Sequence, residues 1–225
     1  MYERVTVIAF HVWADCRLSI IRVFKYFGIS LVDSRRSVRV LAASRSGLFI
    51  SFLVVVLSSV TVGATITILL TSRLLPLIQV EFINVPVSGL LLLASITAFI
   101  ILGLGYWVVG GLLIHISCKL LGGIGRLEDT LIALSHSWVP LFLLALILPI
   151  LILLNPVISV GVYILVLLVL TMWGLILAVC ALSEVHRFSV IRAVLSMVII
   201  LILVMLLALF VILLNVTVTI ESIKF

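Results

Sequence analysis

Charged side chains are scarce in this sequence. Only 10% of its 225 residues are Asp, Glu, Lys or Arg, whereas 65% are hydrophobic and the mean hydropathy is +1.56. A soluble domain needs about 25% charged residues to cover its surface. The composition therefore excludes a soluble globule and predicts an integral membrane protein.

Residue patterns that carry catalysis or metal binding are also missing. The cysteines form no CxxC pair, and the histidines form no HExxH or other close ligand pair. GxSxG, GxxxxGK[ST] and paired aspartates do not occur. No ionisable residue lies at the centre of a long apolar run, where ion and proton paths place one. The sequence therefore predicts no enzymatic activity, catalytic residue, metal site or cofactor.

Long uncharged intervals define the predicted membrane spans. A helix needs about 20 residues to cross about 30 Å of hydrocarbon. Uncharged intervals of 27, 37, 54 and 28 residues follow Arg45, Glu81, Asp129 and Arg192. The 54-residue interval is divided at LLNPV, residues 153–157, because Asn-Pro is a turn signal. The predicted spans cover residues 48–72, 86–118, 138–154, 157–183 and 190–218.

The distribution of basic residues predicts the orientation, because cytoplasmic loops collect Lys and Arg. With one helix over residues 82–118, twelve basic residues fall on the cytoplasmic side and two on the other. Two helices there would give nine against five. The predicted fold is therefore an all-α integral membrane protein, a bundle of five transmembrane helices within residues 46–220. Its amino terminus lies inside and its carboxyl terminus outside.

Residues 1–45 are predicted to form a basic, amphipathic cytoplasmic segment. Its apolar residues recur near helical spacing, with basic residues at other positions. This helix either lies in the headgroup layer or packs on the cytoplasmic ends of the spans. RRSVRVLAASR at 35–45 is a topology signal that also favours anionic headgroups. We interpret the net charge of +6 as a membrane contact and not as a nucleic-acid site. The recurring apolar residues are Phe10, Trp13, Ile20, Phe24 and Phe27.

Small residues repeat every four positions on three of the predicted spans. Such stripes let helix backbones approach each other closely. We therefore predict a tightly packed bundle. The predicted packing residues are Ser59, Gly63 and Thr67 on the first span, Ala94 and Ala98 on the second, and Gly174 and Ala178 on the fourth.

Residues 120–140, LLGGIGRLEDTLIALSHSWVP, interrupt the apolar sequence with glycines and charges. The glycines at 122–125 can end the second helix in the left-handed conformation. The leucines that follow share one helical face with Trp138, which predicts a short amphipathic helix along the membrane interface before Pro140. We expect this loop and the charged turn SEVHR, residues 183–187, to contact partners. The partner-contact candidates are Gly122, Gly123, Arg126, Glu128, Asp129, Glu184, His186 and Arg187.

Several motifs after residue 112 carry a family resemblance. They are LIHISCKLLGG, the charged IGRLEDTL, LSHSWVPLFLL at a proline, and ALSEVHRFSVIRAVL before the last span. In outline, residues 35–218 resemble the YIP family, the Ypt/Rab-interacting membrane proteins. The resemblance implies a five-span protein that is not an enzyme. Eukaryotic members of this family bind one another and Rab-type GTPases in endoplasmic reticulum and Golgi membranes.

The chain differs from the family at its amino-terminal end, where it has no long soluble tail and no DLYGP-like motif. Rab-type GTPase binding is therefore not carried over. The short, Val- and Ile-rich chain is similar to the prokaryotic branch, which implies the prokaryotic cell membrane. We predict a non-enzymatic protein that organises the membrane, or binds itself or other membrane proteins, through cytoplasmic loops and packed spans.

The alternative function is a small transporter or channel, or the membrane subunit of a transport complex. Its support is the glycine- and proline-interrupted helices at residues 103–111 and 140–149, because discontinuous helices build many transport sites. This alternative requires a polar cavity at mid-membrane, lined by Thr65, Thr97 or Thr171.

Overall fold

A computed structural model describes residues 28–31, 33–74 and 85–223 of the chain. Every regular element in these ranges is helical, which confirms the predicted all-α class. The apolar residues of the predicted amino-terminal helix, at positions 10–27, lie outside the described residues.

The α-helices are joined by short turns, by π-helical segments or by a 3-10 turn. Two π-helical segments cover Leu70–Leu74 and Tyr106–Gly110, and a 3-10 turn covers Pro140–Leu143. The α-helices are α1 (Ser34–Ala42), α2 (Gly47–Leu69), α3 (Val85–Gly105), α4 (Gly111–Leu120), α5 (Leu127–Ser135), α6 (Leu144–Leu153), α7 (Pro156–Val185) and α8 (Val190–Ile223).

Four helical stretches are long and apolar enough to cross a membrane. They are Gly47–Ser72, Gly89–Leu120, Leu127–Leu153 and Pro156–Val185. The first part of α8 adds a shorter apolar stretch, Val190–Leu206. These lengths support an integral membrane protein with several spans, while the fifth span and the orientation stay predictions.

From Val85 onward, the long uncharged interval before Lys119 forms one helix, because α3 continues through the π-helical segment into α4. Gly105, Gly110 and Gly111 all keep right-handed helical angles there. Trp107 within the segment is buried, and its Nε1 donates to the carbonyl oxygen of Leu131 at 2.8 Å. The glycine-rich stretch therefore changes the pitch of the helix without ending it.

A short helix does form before Pro140, as the sequence predicted, and α5 covers Leu127–Ser135. It packs against α1, α2, α4 and α7, whereas the sequence predicted that its apolar face would lie along the membrane interface. Its buried residues include Thr130, Ile132, Ala133 and Leu134. Because apolar residues run consecutively from 131 to 134, they surround the helix, and packing on one face alone would leave apolar area exposed. α5 continues through the 3-10 turn into α6.

The small residues of α2 lie where this helix meets α3. Ser59, Gly63 and Thr67 are all buried. A Cβ atom added to Gly63 would lie 3.2 Å from the Cα atom of Ile96. The hydroxyl of Thr67 bonds the hydroxyl of Ser95. The absence of large side chains therefore lets the two backbones approach closely.

The other two stripes differ from each other. Gly174 and Ala178 of α7 are buried, and an added Cβ on Gly174 would overlap the backbone carbonyl oxygen of Ser137. Ala94 and Ala98 of α3 are exposed, so they are not packing residues in this structure. The repeat on α3 faces outward because α2 packs on a different side of that helix, at Ser95 and Ile96.

Candidate functional site

Charged residues gather where α1, the loop after α4 and the turn before α8 meet. We define this region, the basic end, as residues 33–46, 119–129 and 184–192. It contains eight Lys or Arg residues and four Asp or Glu residues. The two segments that hold the partner-contact candidates meet here, because the amide of Ile124 donates to the carbonyl oxygen of His186 at 3.3 Å. The structure thus joins two loops that are about 60 residues apart in sequence.

α4 ends at the basic end in a Schellman motif, the hydrogen-bond pattern that closes many helices. The amide of Gly123 donates to the carbonyl oxygen of Cys118 at 2.8 Å, and that of Gly122 donates to Lys119 at 3.0 Å. Gly122 has a φ of +86°, which glycine adopts without a steric penalty. The predicted glycine stop is therefore confirmed at Gly122.

α7 ends at the same end of the bundle with the same motif. The amide of Phe188 donates to the carbonyl oxygen of Ser183 at 3.2 Å, and that of Arg187 donates to Glu184 at 3.3 Å. Here the left-handed residue is Arg187, with a φ of +51°. A side chain in this conformation costs about 1 kcal/mol relative to the right-handed one. The position equivalent to Gly122 thus holds an arginine at an energetic disadvantage.

The loop after α4 is held against His186 by close packing. A Cβ atom added to Gly123 would lie 2.5 Å from Nδ1 of His186, and one added to Gly125 would lie 3.1 Å from Cε1. Both glycines are buried. They are therefore needed for space beside the imidazole ring, whereas Gly122 is needed for its backbone conformation.

Beneath this loop, His115, Thr130 and His186 form a hydrogen-bonded group that we call the His–Thr–His cluster. Thr130 Oγ1 lies 2.8 Å from Nδ1 of His115 and 3.0 Å from Nε2 of His186. It also lies 3.1 Å from the carbonyl oxygen of Arg126. Thr130 is 0% exposed and His186 is 1% exposed. The cluster therefore ties α4, α5 and the turn after α7 together in the interior.

The three contacts of Thr130 define the imidazole tautomers. A hydroxyl carries one hydrogen and two lone pairs, and the carbonyl of Arg126 can only accept. The hydrogen therefore goes to Arg126, and both imidazoles donate to Thr130. This assignment places the hydrogen on Nδ1 of His115 and on Nε2 of His186. Nδ1 of His186 then remains an acceptor, and it has no hydrogen-bond partner among the described residues.

His186 is held in its neutral form. Burial, together with nearby His115 and Lys119, lowers its pKa from the usual 6.5 to about 4, and Asp129 opposes this shift. Protonation would also place a hydrogen on Nδ1, which faces the backbone of Gly123. The cluster thus positions the loop, and its threonine hydroxyl is already committed to Arg126.

We expect acidification from pH 6.5 to pH 4 to destabilise the protein. In this window the unfolded chain binds a proton at His186 and the folded chain does not, so the free energy of unfolding falls as the pH falls. The contribution reaches about 1.4 kcal/mol for each pH unit. Thermal unfolding in detergent across this range measures it. A His186→Gln variant should show a smaller pH dependence than the wild type, and an unchanged slope would contradict the assignment.

Two ion pairs and a helix cap form the outer surface of the basic end. Arg39 Nε lies 3.3 Å from Glu184, and Arg126 lies 3.6 Å from Glu128. The amide of Arg126 donates to the carboxylate of Asp129 at 3.1 Å, which caps the start of α5. Exposed pairs contribute little to stability, so these charges remain available for contacts with other molecules.

The eight partner-contact candidates separate by burial. Gly122, Arg126, Glu128 and Arg187 are exposed, and Asp129 and Glu184 are half-buried. Gly123 and His186 are buried and do not fit a contact surface. Their role is internal, because the loop packs directly on the imidazole ring.

Sequence reasoning missed Thr130, Arg39 and the pairing of His115 with His186. Positions 115, 130 and 186 lie on three separate elements, so no local spacing connects them. Among the described residues, no three His, Cys, Asp or Glu side chains group as metal ligands do.

The threonines that a transport cavity would need lie on separate surfaces. Thr65 is buried, where its hydroxyl donates to the carbonyl of Thr61 and lies 3.5 Å from the hydroxyl of Tyr163. Thr97 and Thr171 are exposed, and each donates to a carbonyl of its own helix. Transport gains no support from these positions.

The apolar helices and the polar loops at one end define this chain as an α-helical membrane protein with several spans. The Yip1 domain family matches residues 29–212, which is most of the chain. The chain therefore belongs to the Yip1 family, as the resemblance predicted. This family is not known for enzymatic activity. Searches of curated proteins and of solved structures found no match.

Proposed function

We propose that this protein is a non-enzymatic Yip1-family protein of the prokaryotic cell membrane that binds partner proteins through the basic end. The partners are further copies of this chain or other membrane proteins, and their association would organise the membrane around them. Rab-type GTPases are not part of the proposal, because the sequence contains no DLYGP-like motif. The basic end faces the cytoplasm in this proposal.

One observation carries the proposal: two distant polar loops form a single, fixed surface. The bond from Ile124 to His186 joins them, and the His–Thr–His cluster holds both from below. A surface that is already ordered loses less conformational entropy when it binds. Binding residues often lie on loops that a rigid scaffold holds in position.

The exposed groups on this surface carry both signs of charge. Arg126 ends the loop after α4, and Glu128 lies in the first turn of α5. Arg187 lies on the turn after α7. Ile124 is 62% exposed beside them. An apolar residue surrounded by charges supports contact with a protein, since interfaces combine an apolar centre with a polar rim.

We expect a photo-reactive residue at position 128 to form discrete protein adducts in intact cells. Glu128 is exposed and its ion pair with Arg126 is weak, so replacement leaves the fold intact. Gel electrophoresis and mass spectrometry would detect and identify the adducts. The double variant Ile124→Ser, Arg126→Ala should reduce their yield.

A photo-reactive residue at Leu153 is the matched control. Leu153 is 85% exposed and ends α6 at the opposite end of the bundle. Equal adducts at both positions, or none at position 128, would refute a partner surface at the basic end.

A further inference from the structure

A cleft of about 460 Å³ opens at the basic end beside the turn between α7 and α8. Its walls include Arg35 of α1, Glu184 of α7, and Arg187, Ser189 and Val190 of the turn. Two segments, α1 and residues 183–190, therefore contribute to it although they are distant in sequence.

The cleft has an excess of positive charge. Arg35 and Arg187 are exposed, and within the described part of the chain neither forms an ion pair with a carboxylate. Glu184 is the acidic group on the wall, and Arg39 pairs with it at 3.3 Å. The guanidinium groups of Arg35 and Arg187 are thus not neutralised by a carboxylate, and a guanidinium binds phosphate through paired hydrogen bonds.

The start of α8 adds backbone donors to the same cleft. The carbonyl oxygen of Ser189 accepts from the amides of Arg192 and Ala193 at 3.0 and 3.3 Å, so Ser189 precedes the first turn of the helix. The amides at the beginning of a helix have no acceptor within the helix, and the helix dipole favours an anion there. Ser189 and Val190 line the cleft, so the start of α8 lies at its wall.

The backbone conformation of Arg187 indicates a functional role for its side chain. At the matching position after α4 the chain has Gly122, which adopts the left-handed conformation freely. Arg187 adopts the same conformation with a φ of +51°. A strained residue beside a cleft favours a function for the side chain, because glycine would satisfy the backbone alone.

The position of the cleft relative to the apolar helices indicates which kind of anion it would meet. It lies between the end of the apolar stretch Pro156–Val185 and the start of Val190–Leu206. In a bilayer, the ends of apolar helices meet the headgroup layer, where lipid phosphates are concentrated.

We propose that this cleft binds a phosphate group, carried by the headgroup of an anionic lipid. Arg35 and Arg187 hold the phosphate oxygens, and the first amides of α8 complete the site. The inference goes beyond partner binding, since it assigns Arg187 to a small anionic ligand and leaves the loop after α4 to proteins.

Native mass spectrometry of the purified protein, with dioleoyl-phosphatidylglycerol or dioleoyl-phosphatidylcholine added, tests the site. We expect selective retention of phosphatidylglycerol. Arg187→Gly should lower that affinity about ten-fold by removing one charged hydrogen-bonding group. Arg35→Gln should have a similar effect, and Arg187→Lys a smaller one. Arg187→Gly relieves the strained backbone, so its melting temperature should equal or exceed that of the wild type.

Arg126→Gln is the matched control, because it removes one charge from the basic end but lies outside the cleft. Equal losses in Arg126→Gln and Arg187→Gly would overturn the site, and so would unchanged binding in both cleft variants. Inorganic phosphate is the second probe. If it binds the wild type with the same dependence on Arg187 while phosphatidylglycerol does not bind selectively, the ligand is free phosphate in the same cleft. Adducts at position 128 should persist in Arg187→Gly, which separates this test from that of the partner surface.

Discussion

Gly174→Ala is expected to destabilise the protein by about 3 kcal/mol. A new Cβ at this position would overlap the backbone carbonyl oxygen of Ser137 and lie 3.1 Å from its carbon. The neighbouring backbone has little freedom to move, because the hydroxyl of Ser58 donates to the carbonyl of Trp138 at 2.8 Å. In an unobstructed helix the same change would be favourable by about 1 kcal/mol. Equilibrium unfolding in mixed detergent micelles would measure the difference.

Gly161→Ala is the control on the same helix. Nothing lies within 4 Å of a Cβ added to Gly161, and this residue is exposed. We expect this variant to be as stable as the wild type or up to about 1 kcal/mol more stable. If both glycine variants change stability equally, close packing of α7 against Ser137 is not the cause.

Thr130→Val is expected to destabilise the protein by about 3 kcal/mol. The two side chains have similar volume, so the change removes the hydroxyl and leaves little cavity. The buried Nε2–H of His186 then loses its acceptor, which costs about 1–3 kcal/mol. The carbonyl of Arg126 still accepts from the backbone amide of residue 130 at 3.1 Å. His115 is half-buried, so a hydrogen bond to water replaces part of the interaction that it loses. Unfolding in micelles measures the total.

Thr130→Ser separates the hydroxyl from the packing of the methyl group. Serine keeps all three hydrogen bonds and loses one methyl, which costs about 0.8 kcal/mol. It should therefore be clearly more stable than the valine variant. A valine variant as stable as the serine variant would show that the His–Thr–His cluster contributes nothing to the fold.

The helical class and the apolar stretches follow directly from composition. A chain in lipid must satisfy its backbone groups internally, and an uncharged run of sufficient length does so as a helix. The same reasoning correctly located a helix in the loop region, since α5 covers Leu127–Ser135. Its position could not be predicted, because a leucine-rich face packs equally well on headgroups and on other helices. The contacts with α2, α4 and α7 decide between them.

The candidate site was predictable only where a residue type implies its own backbone conformation. Gly122 is such a case, because glycine after a helix favours the left-handed closure. Arg187 is the opposite case, since nothing in the residue type indicates that it occupies the same conformation. His186 looked like a surface residue in a charged turn, whereas the structure buries it under Gly123 and Gly125.

The sequence by itself determined the membrane class, the apolar stretches and the gathering of basic residues between them. These are properties of local composition, because the number of consecutive apolar residues determines whether a helix can cross a bilayer. Only the tertiary structure decided that the loop after α4 rests on His186, that Thr130 joins two histidines, and that Arg35 and Arg187 share one cleft. Whether these side chains are buried or hydrogen-bonded depends on which distant elements are in contact. Those contacts are fixed by close packing in the folded protein.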